Sequence, residues 1–256
     1  MIQKINLNNK YFEYGTKEVI IIGSAHVSKK NIEQVQNVII EEQPEIVGVE
    51  LDRNRFINIL KKKQTKTKLT DIFRSRNPFL FLTIYILGNY QKKIAKKLNT
   101  TAGGEMISAI KCAKIINSKI LLLDRDINIT LTKLLKKISF FEKLKMVFGG
   151  LFLNKKEKEI LRNIDIKTIL TDVESGNDNS KVIENIMKIF SKKFKKVKEI
   201  LIDERDQFIA YNILKAPCNK IVIVVGAGHL KGIEKNLNNK KFNLKKILDV
   251  NYKYKN

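Results

Sequence analysis

Two stretches of one shape constrain this 256-residue chain more than anything else in it. One is Val19-Ile20-Ile21-Ile22-Gly23-Ser24-Ala25-His26; the other is Ile221-Val222-Ile223-Val224-Val225-Gly226-Ala227-Gly228-His229. Each is an unbroken apolar run rich in β-branched residues that stops at a glycine, with a histidine three positions on. A run of this kind, bounded by turn residues, reads as a strand buried on both faces. Ligands in an open parallel sheet collect just beyond the carboxyl ends of the strands, so Gly-x-x-His aims an imidazole at that edge. The chain has two histidines in all, and both stand in this position.

The segments between them alternate in the manner of an α/β protein. Ser28 is placed to cap a helix running to about Glu42, with Ile32, Val35, Val38 and Ile39 at helical spacing. Pro44 ends it, and Glu45–Leu51 reads as a second buried strand, completing a βαβ unit. Asp52 caps a helix carrying Arg53, Arg55 and Phe56. Residues 61–68 lack periodicity and read as a loop; Asn77-Pro78 opens a helical stretch to about Leu98, followed by a glycine-containing loop. A helix from Glu105 to Ile116 leads to a third strand, Lys119–Leu123, which ends in Asp124-Arg125-Asp126. Residues 130–198 are helical by pattern and read as an insertion. Glu199–Leu214 is a helix, the last clear strand ends at His229, and the tail from Lys231 holds a short helix with room for an edge strand. The expectation is one domain over residues 1–256, with a largely parallel core sheet.

An apolar fraction of 43% is enough for a core, but a formal net charge of +24 is unusual. Three causes fit: a nucleic acid or anionic membrane partner, a compositional bias toward Lys, Asn and Ile, or adaptation to unusual intracellular salt. Arginine stands at seven positions only, so the charge is nearly all lysine. Recognition of phosphate or bases favours arginine forks, which makes nucleic acid the weakest reading and compositional bias the strongest. Cys112 and Cys218 are single and far apart, giving neither a disulfide framework nor a thiolate zinc site. The first ten residues carry no signal-type apolar stretch, and the apolar run Phe79–Leu87 is too short to span a bilayer. A cytoplasmic protein, with room for a peripheral membrane role, is expected.

Polar groups stand at four strand ends: His26, Glu50, the Asp124-Arg125-Asp126 cluster and His229. If the strands are parallel, all four converge. Two imidazoles with carboxylates suit a divalent metal such as Zn²⁺, Mn²⁺ or Co²⁺. The same groups could work without metal, one histidine serving as general base and a carboxylate orienting it. Glu50 closes a buried strand, where a carboxylate is costly unless paired or bound; Arg53 or Arg125 could pair it. Glu105 opens a helix after two glycines, a favourable place for a negative charge and a possible site carboxylate. In Asp203-Glu204-Arg205-Asp206 four successive charges cannot all face the same way, so one or two must point inward, and Arg205 is the candidate for binding an oxyanion or carboxylate, with an internal salt bridge as the alternative. Gly226-Ala227-Gly228 lacks the third glycine and acidic partner of a dinucleotide loop.

The segments Gly23–Ser28, Val49–Asp52, Gly104–Met106, Leu123–Ile127, Asp203–Asp206 and Val225–Leu230, in that order, resemble the motif series of the TraB/PrgY family. That family is named for pheromone-shutdown proteins and is related to the Tiki metalloproteases; the resemblance runs from about residue 16 to 235. It implies an erythromycin-esterase/ChaN-like α/β core and a metal-dependent hydrolase site acting on peptides. Carried onto this sequence, it makes His26 and His229 metal ligands or a catalytic pair, with Glu50 and Glu105 as carboxylate ligands or base. Arg125 and Arg205 then support the site, with Gly23, Asp124, Asp126, Asp206 and Gly226 around them. Many members continue into a membrane-spanning C-terminal region that this sequence does not show, so a soluble short form or one beside a membrane partner is expected. The expected function is a metal-dependent hydrolase, foremost a peptidase, taking a peptide or small-molecule substrate. The alternative is a non-catalytic protein that sequesters such a ligand at a membrane surface.

Overall fold

The computed structural model describes residues 1–8, 16–24, 29–61, 104–137, 139 and 195–251. They fall into two compact units, Met1–Asp126 with Asn212–Ala227, and Ile127–Tyr211 with Gly228–Asn256.

The first unit is built on a five-stranded sheet of β1 (Ile2–Asn8), β2 (Thr16–Ser24), β3 (Ile46–Val49), β4 (Lys119–Leu122) and β5 (Lys220–Gly226), in the order β1-β2-β5-β3-β4. β1 is antiparallel to β2, whereas β2–β5, β5–β3 and β3–β4 are parallel. The class is therefore α/β with a mixed, mostly parallel sheet. Both apolar runs that lead to the histidines are strands, and they are hydrogen-bonded neighbours: Ile20 pairs with Val222 and Ser24 with Gly226. From Val19 to Ile22 and from Ile221 to Val225 every side chain is buried, as expected of strands covered on both faces.

Helices α1 (Lys29–Glu42), α2 (Arg53–Leu60) and α3 (Gly104–Ile115) belong to this unit. Alternate strand residues Ile20, Ile22, Val47, Val49, Val222 and Val224 join one core with Val35, Val38 and Ile39 of α1 and Met106, Ala109, Ile110 and Ala113 of α3. Burial of each valine, isoleucine or methionine among these is worth about 1.5–3 kcal/mol, so this layer carries much of the unit's stability. α1 ends at Gln43, whose left-handed φ of 44° and whose N–H bond to Ile39 O close the last turn ahead of Pro44. Asp52 caps α2 as expected, accepting from Asn54 N at 2.8 Å and Arg55 N at 3.0 Å.

In the second unit α4 (Ile127–Lys137) and a short helix, Lys195–Lys198, are followed by a π-helical turn, Glu199–Asp203. That turn runs directly into α5 (Glu204–Lys215), of which the part to Tyr211 belongs to this unit and the part from Asn212 to the first. After β5 comes one 3₁₀ turn, Ala227–His229, then α6 (Leu230–Asn239) and α7 (Leu244–Leu248).

Three sequence expectations need correction. The last strand ends at Gly226, so His229 stands in the turn beyond it. The described part of the tail holds two helices and no strand; the antiparallel edge is instead β1, where Gln3, Ile5 and Leu7 are the more covered positions and Ile2, Lys4 and Asn6 are exposed, the alternation of a one-sided strand. The helix expected over Glu199–Leu214 begins with the π turn. The loop at 61–68 beyond Lys61, the stretch Asn77–Leu98 and most of the insertion at 130–198 lie outside the described residues. Among the described residues no helix is long and apolar enough to cross a membrane.

Candidate functional site

Register fixes where the strand ends meet in the first unit. Ser24 lies opposite Gly226, Val49 opposite both Val224 and Leu122, so four parallel strands terminate along one edge. Glu50, the residue after β3, is 7% exposed. Its backbone N–H bonds Val224 O at 3.1 Å, and its side-chain Oε2 accepts the backbone N–H of Gly226 at 2.7 Å. The carboxylate thus binds the first residue of the second Gly-x-x-His. A carboxylate that accepts a buried amide proton offsets part of its desolvation cost.

Asp124, Asp126 and Asp52 meet on α2. Arg55 Nε donates to Asp52 Oδ2 at 2.7 Å, and Arg55 Nη2 donates to Asp124 Oδ2 and to Glu50 O. Asn54 Nδ2 reaches Asp126 Oδ2 at 3.4 Å, and the backbone N–H of Arg125 bonds Asp124 Oδ1 at 2.9 Å. The acidic cluster after β4 therefore serves, at least in part, to lock that strand end to α2. Arg55 is the residue that sequence reasoning missed here, although its i+3 spacing from the capping Asp52 is a readable signal. Arg125 is 2% exposed, and so is Glu105 in the first turn of α3. Gly23 is part of the β1–β2 pairing, its N–H bonding Met1 O.

The second unit contains His229, Asp206 and Arg205. His229 caps the start of α6 and is 8% exposed; Asp206, on α5, is 2% exposed. His229 Nδ1 lies 2.5 Å from Asp206 Oδ1, and His229 Nε2 lies 3.2 Å from Arg205 Nη1. The same Arg205 nitrogen donates to Leu201 O at 3.1 Å. A guanidinium can only donate, so Nε2 must accept from it. The ring proton of neutral His229 then sits on Nδ1 and points at the carboxylate. Burial pushes the Asp206 carboxyl up to about 6, against the hydrogen bond from His229, which works to lower it. Above that value Asp206 is a carboxylate, and the neutral ring presents Nδ1–H to it with Nε2 turned toward Arg205.

Helix geometry explains why the four-charge run can do this. Successive helical residues turn by roughly 100°, from 3.6 per turn, so Glu204 and Asp206 lie on nearly opposite sides of α5. Both are buried. Asp206 meets His229, while Glu204 meets Lys133 of α4 at 2.8 Å with both side chains essentially inaccessible. Lys133 Nζ also donates to Lys246 O and Ile247 O of α7. The Lys133–Glu204 pair had no sequence signal: Lys133 looks like any lysine of an amphipathic helix.

His26 lies outside the described residues, so its expected partnership with His229 does too. Among the described residues no three His, Cys, Asp or Glu side chains are grouped as a metal ion would require. Of the expected ligand pair only His229 is described, and its Nε2 is the atom that lies against Arg205 Nη1.

A family model described as the TraB/PrgY/gumN family matches residues 11–245. An uncharacterized protein of Methanocaldococcus jannaschii is 36% identical over 218 residues, covering 84% of this chain and 52% of that protein. TraB domain-containing proteins of Mus musculus and Homo sapiens are 27% and 26% identical over 260 residues, covering 91% of this chain and 65% of each. The chain thus spans about half to two thirds of the length of these relatives.

Proposed function

The chain belongs to the TraB/PrgY/gumN family, and from that premise we propose that it is a hydrolase of peptides or related acyl substrates working through His229. One observation carries the reading: a buried carboxylate, Asp206, holds Nδ1 of His229 and so leaves Nε2 as the basic atom. That is the arrangement by which a histidine is oriented for proton transfer. In the reaction Nε2 takes a proton from water as the water oxygen attacks the substrate carbonyl carbon. Asp206 stabilises the imidazolium, and the Arg205 guanidinium, released from Nε2, faces the developing oxyanion. The imidazolium then returns the proton to the leaving nitrogen as the carbon–nitrogen bond breaks. The sheet of the first unit we take to be an erythromycin-esterase/ChaN-like core.

The test is hydrolysis of a peptide library, read by mass spectrometry, for the native chain beside His229→Ala and Asp206→Asn. General-base catalysis contributes about 10²–10⁴-fold, and His229→Ala should lose on that order. Equal hydrolysis by all three proteins ends the proposal, and binding without products favours the sequestering alternative. Elemental analysis of the same samples decides the expected metal: near-stoichiometric Zn, Mn or Co that disappears in His229→Ala would put a cation where Arg205 now contacts Nε2.

A further inference from the structure

We propose that Gly232 is a positioning residue for His229, acting through Asp206: its missing side chain is the space in which the Asp206 carboxylate sits. The proposal rests on His229 being the working group but not on what it hydrolyses. Gly232 lies in the first turn of α6, three residues after His229, so the two share a helix face. A Cβ built on Gly232 would overlap Asp206 Oδ2 and stand 2.6 Å from Asp206 Cγ and 3.2 Å from Asp206 Cβ. Nothing else comes among its three nearest neighbours. The obstruction is the carboxylate itself.

That carboxylate has little freedom to yield. Asp206 is 2% exposed, its side chain has two torsions, and Oδ1 is already 2.5 Å from His229 Nδ1. Oδ1 grips the imidazole while Oδ2 occupies the hollow at Gly232. Filling the hollow must turn the carboxylate, and a turn that frees Oδ2 also carries Oδ1 off Nδ1. Helix propensity gives the opposite push, since alanine is favoured over glycine inside a helix. A glycine thus stands at a helix position where alanine would form better helix, and the hollow supplies a reason. Gly228, by contrast, has nothing within 4 Å of an added Cβ.

The experiment uses the two-histidine content of the chain. Protein labelled with ¹⁵N at histidine gives imidazole signals from two residues only, and His26→Ala assigns them. At alkaline pH, where both rings are neutral, native His229 should be held as the Nδ1–H tautomer. In Gly232→Ala that tautomer should cease to be the majority form, as it should in Asp206→Ala. In the Asp206→Ala background, adding Gly232→Ala should leave the His229 signals where they are. Native-like His229 signals in Gly232→Ala would overturn the proposal, as would a further shift from Gly232→Ala once Asp206 is alanine. Denaturation supplies the second arm. Gly232→Ala should lower the unfolding midpoint of the native chain but not that of Asp206→Ala, where only the 3.2 Å contact with Cβ remains. If Gly232→Ala alone does not fold while the double variant does, the clash is with the carboxylate, as proposed; failure of both overturns it. Neither readout involves hydrolysis, so failure of Gly232→Ala to shift the tautomer leaves the hydrolase reading standing, whereas a failed activity screen leaves the fit of Asp206 into the hollow at Gly232 standing and removes only the role it would serve.

Discussion

Replacing Lys133 by methionine is the sharpest stability test of this structure. The Lys133 and Glu204 side chains are 0% and 1% exposed, with Nζ 2.8 Å from one carboxylate oxygen and 2.9 Å from the other. Nζ also serves two backbone carbonyls of α7, Lys246 O and Ile247 O at 3.3 Å. Methionine matches the stem in length but takes away the charge, leaving the Glu204 carboxylate buried without its ammonium. Removing one member of a buried pair costs about 3–5 kcal/mol, whereas replacing both by apolar residues of similar volume is often neutral. Two carbonyls that lose one of their donors add on the order of 1 kcal/mol each, partly counted already in the first figure. The expected loss for Lys133→Met is therefore about 4 kcal/mol, and Lys133→Met with Glu204→Leu should recover at least half of it. Urea denaturation followed by circular dichroism measures both, with hydrogen exchange on α4 to localise the effect. A loss under about 1 kcal/mol for the single variant, or a double variant no more stable than the single, would refute the assignment of a desolvated pair.

Three further outcomes follow from the same geometry. The Asp206 carboxyl is raised from 3.8 to about 6, so between those values the folded state holds a proton the unfolded state has released; its stabilising term is complete below 3.8 and lost as pH rises through about 6. At 1.36 kcal/mol per unit this is on the order of 3 kcal/mol; Asp206→Asn should gain stability relative to the native chain between pH 4 and 7, and a pH-independent difference would refute it. Gly48→Ala would bring a Cβ to 2.7 Å from Leu123 Cδ1 and 2.9 Å from Ile223 Cγ2; overpacking of about 1–3 kcal/mol outweighs a gain of about 0.5–1 from replacing glycine in a strand, and an unchanged denaturation midpoint would refute the close packing. Lys240 closes α6 with φ 51° and ψ 26°, a left-handed position costing a side chain about 1–2 kcal/mol, so Lys240→Gly should raise the thermal midpoint by a few degrees.

The parts of the fold legible in the sequence are those where one residue type answers one physical demand. β2 and β5 were readable because a strand buried on both faces must be apolar at every position, and Val19–Ile22 and Ile221–Val225 are. Asp52 was readable because only a short oxygen-bearing side chain can take the first free N–H groups of α2. β1 was missed because its evidence is weak alternation over seven residues with two asparagines, which a polar loop also shows. Nor does any residue of α5 announce the π turn before it. Nor does the sequence say which charges of Asp203–Asp206 find buried partners, because those partners, Lys133 and His229, are distant in sequence.

The same distinction governs the candidate site. The sequence singled out His229, Glu50, Arg205 and Asp206, and the structure joins three of them in one chain of contacts, Asp206 to His229 to Arg205. Glu50 is joined to Gly226. What the sequence could not give was the division of labour within the charged run. Arg205 had been singled out for ligand binding, and it contacts the imidazole; Asp206 had only a supporting part, and it sets the tautomer. A carboxylate on Nδ1 and a guanidinium on Nε2 fix the ring from both sides, so His229 cannot take up a proton without loosening its contact with Arg205. Proton uptake at Nε2 and release of the guanidinium are then one event. For the proposed hydrolysis this coupling has a consequence: the guanidinium becomes free to meet an oxyanion at the step that forms one. Arg205→Lys would keep the charge but lose the planar fork that holds Nε2 while serving Leu201 O. It should raise the pH at which His229 protonates, because Nε2 would no longer be tied to a donor, and an unchanged ¹⁵N titration of His229 in that variant would show the two events to be independent.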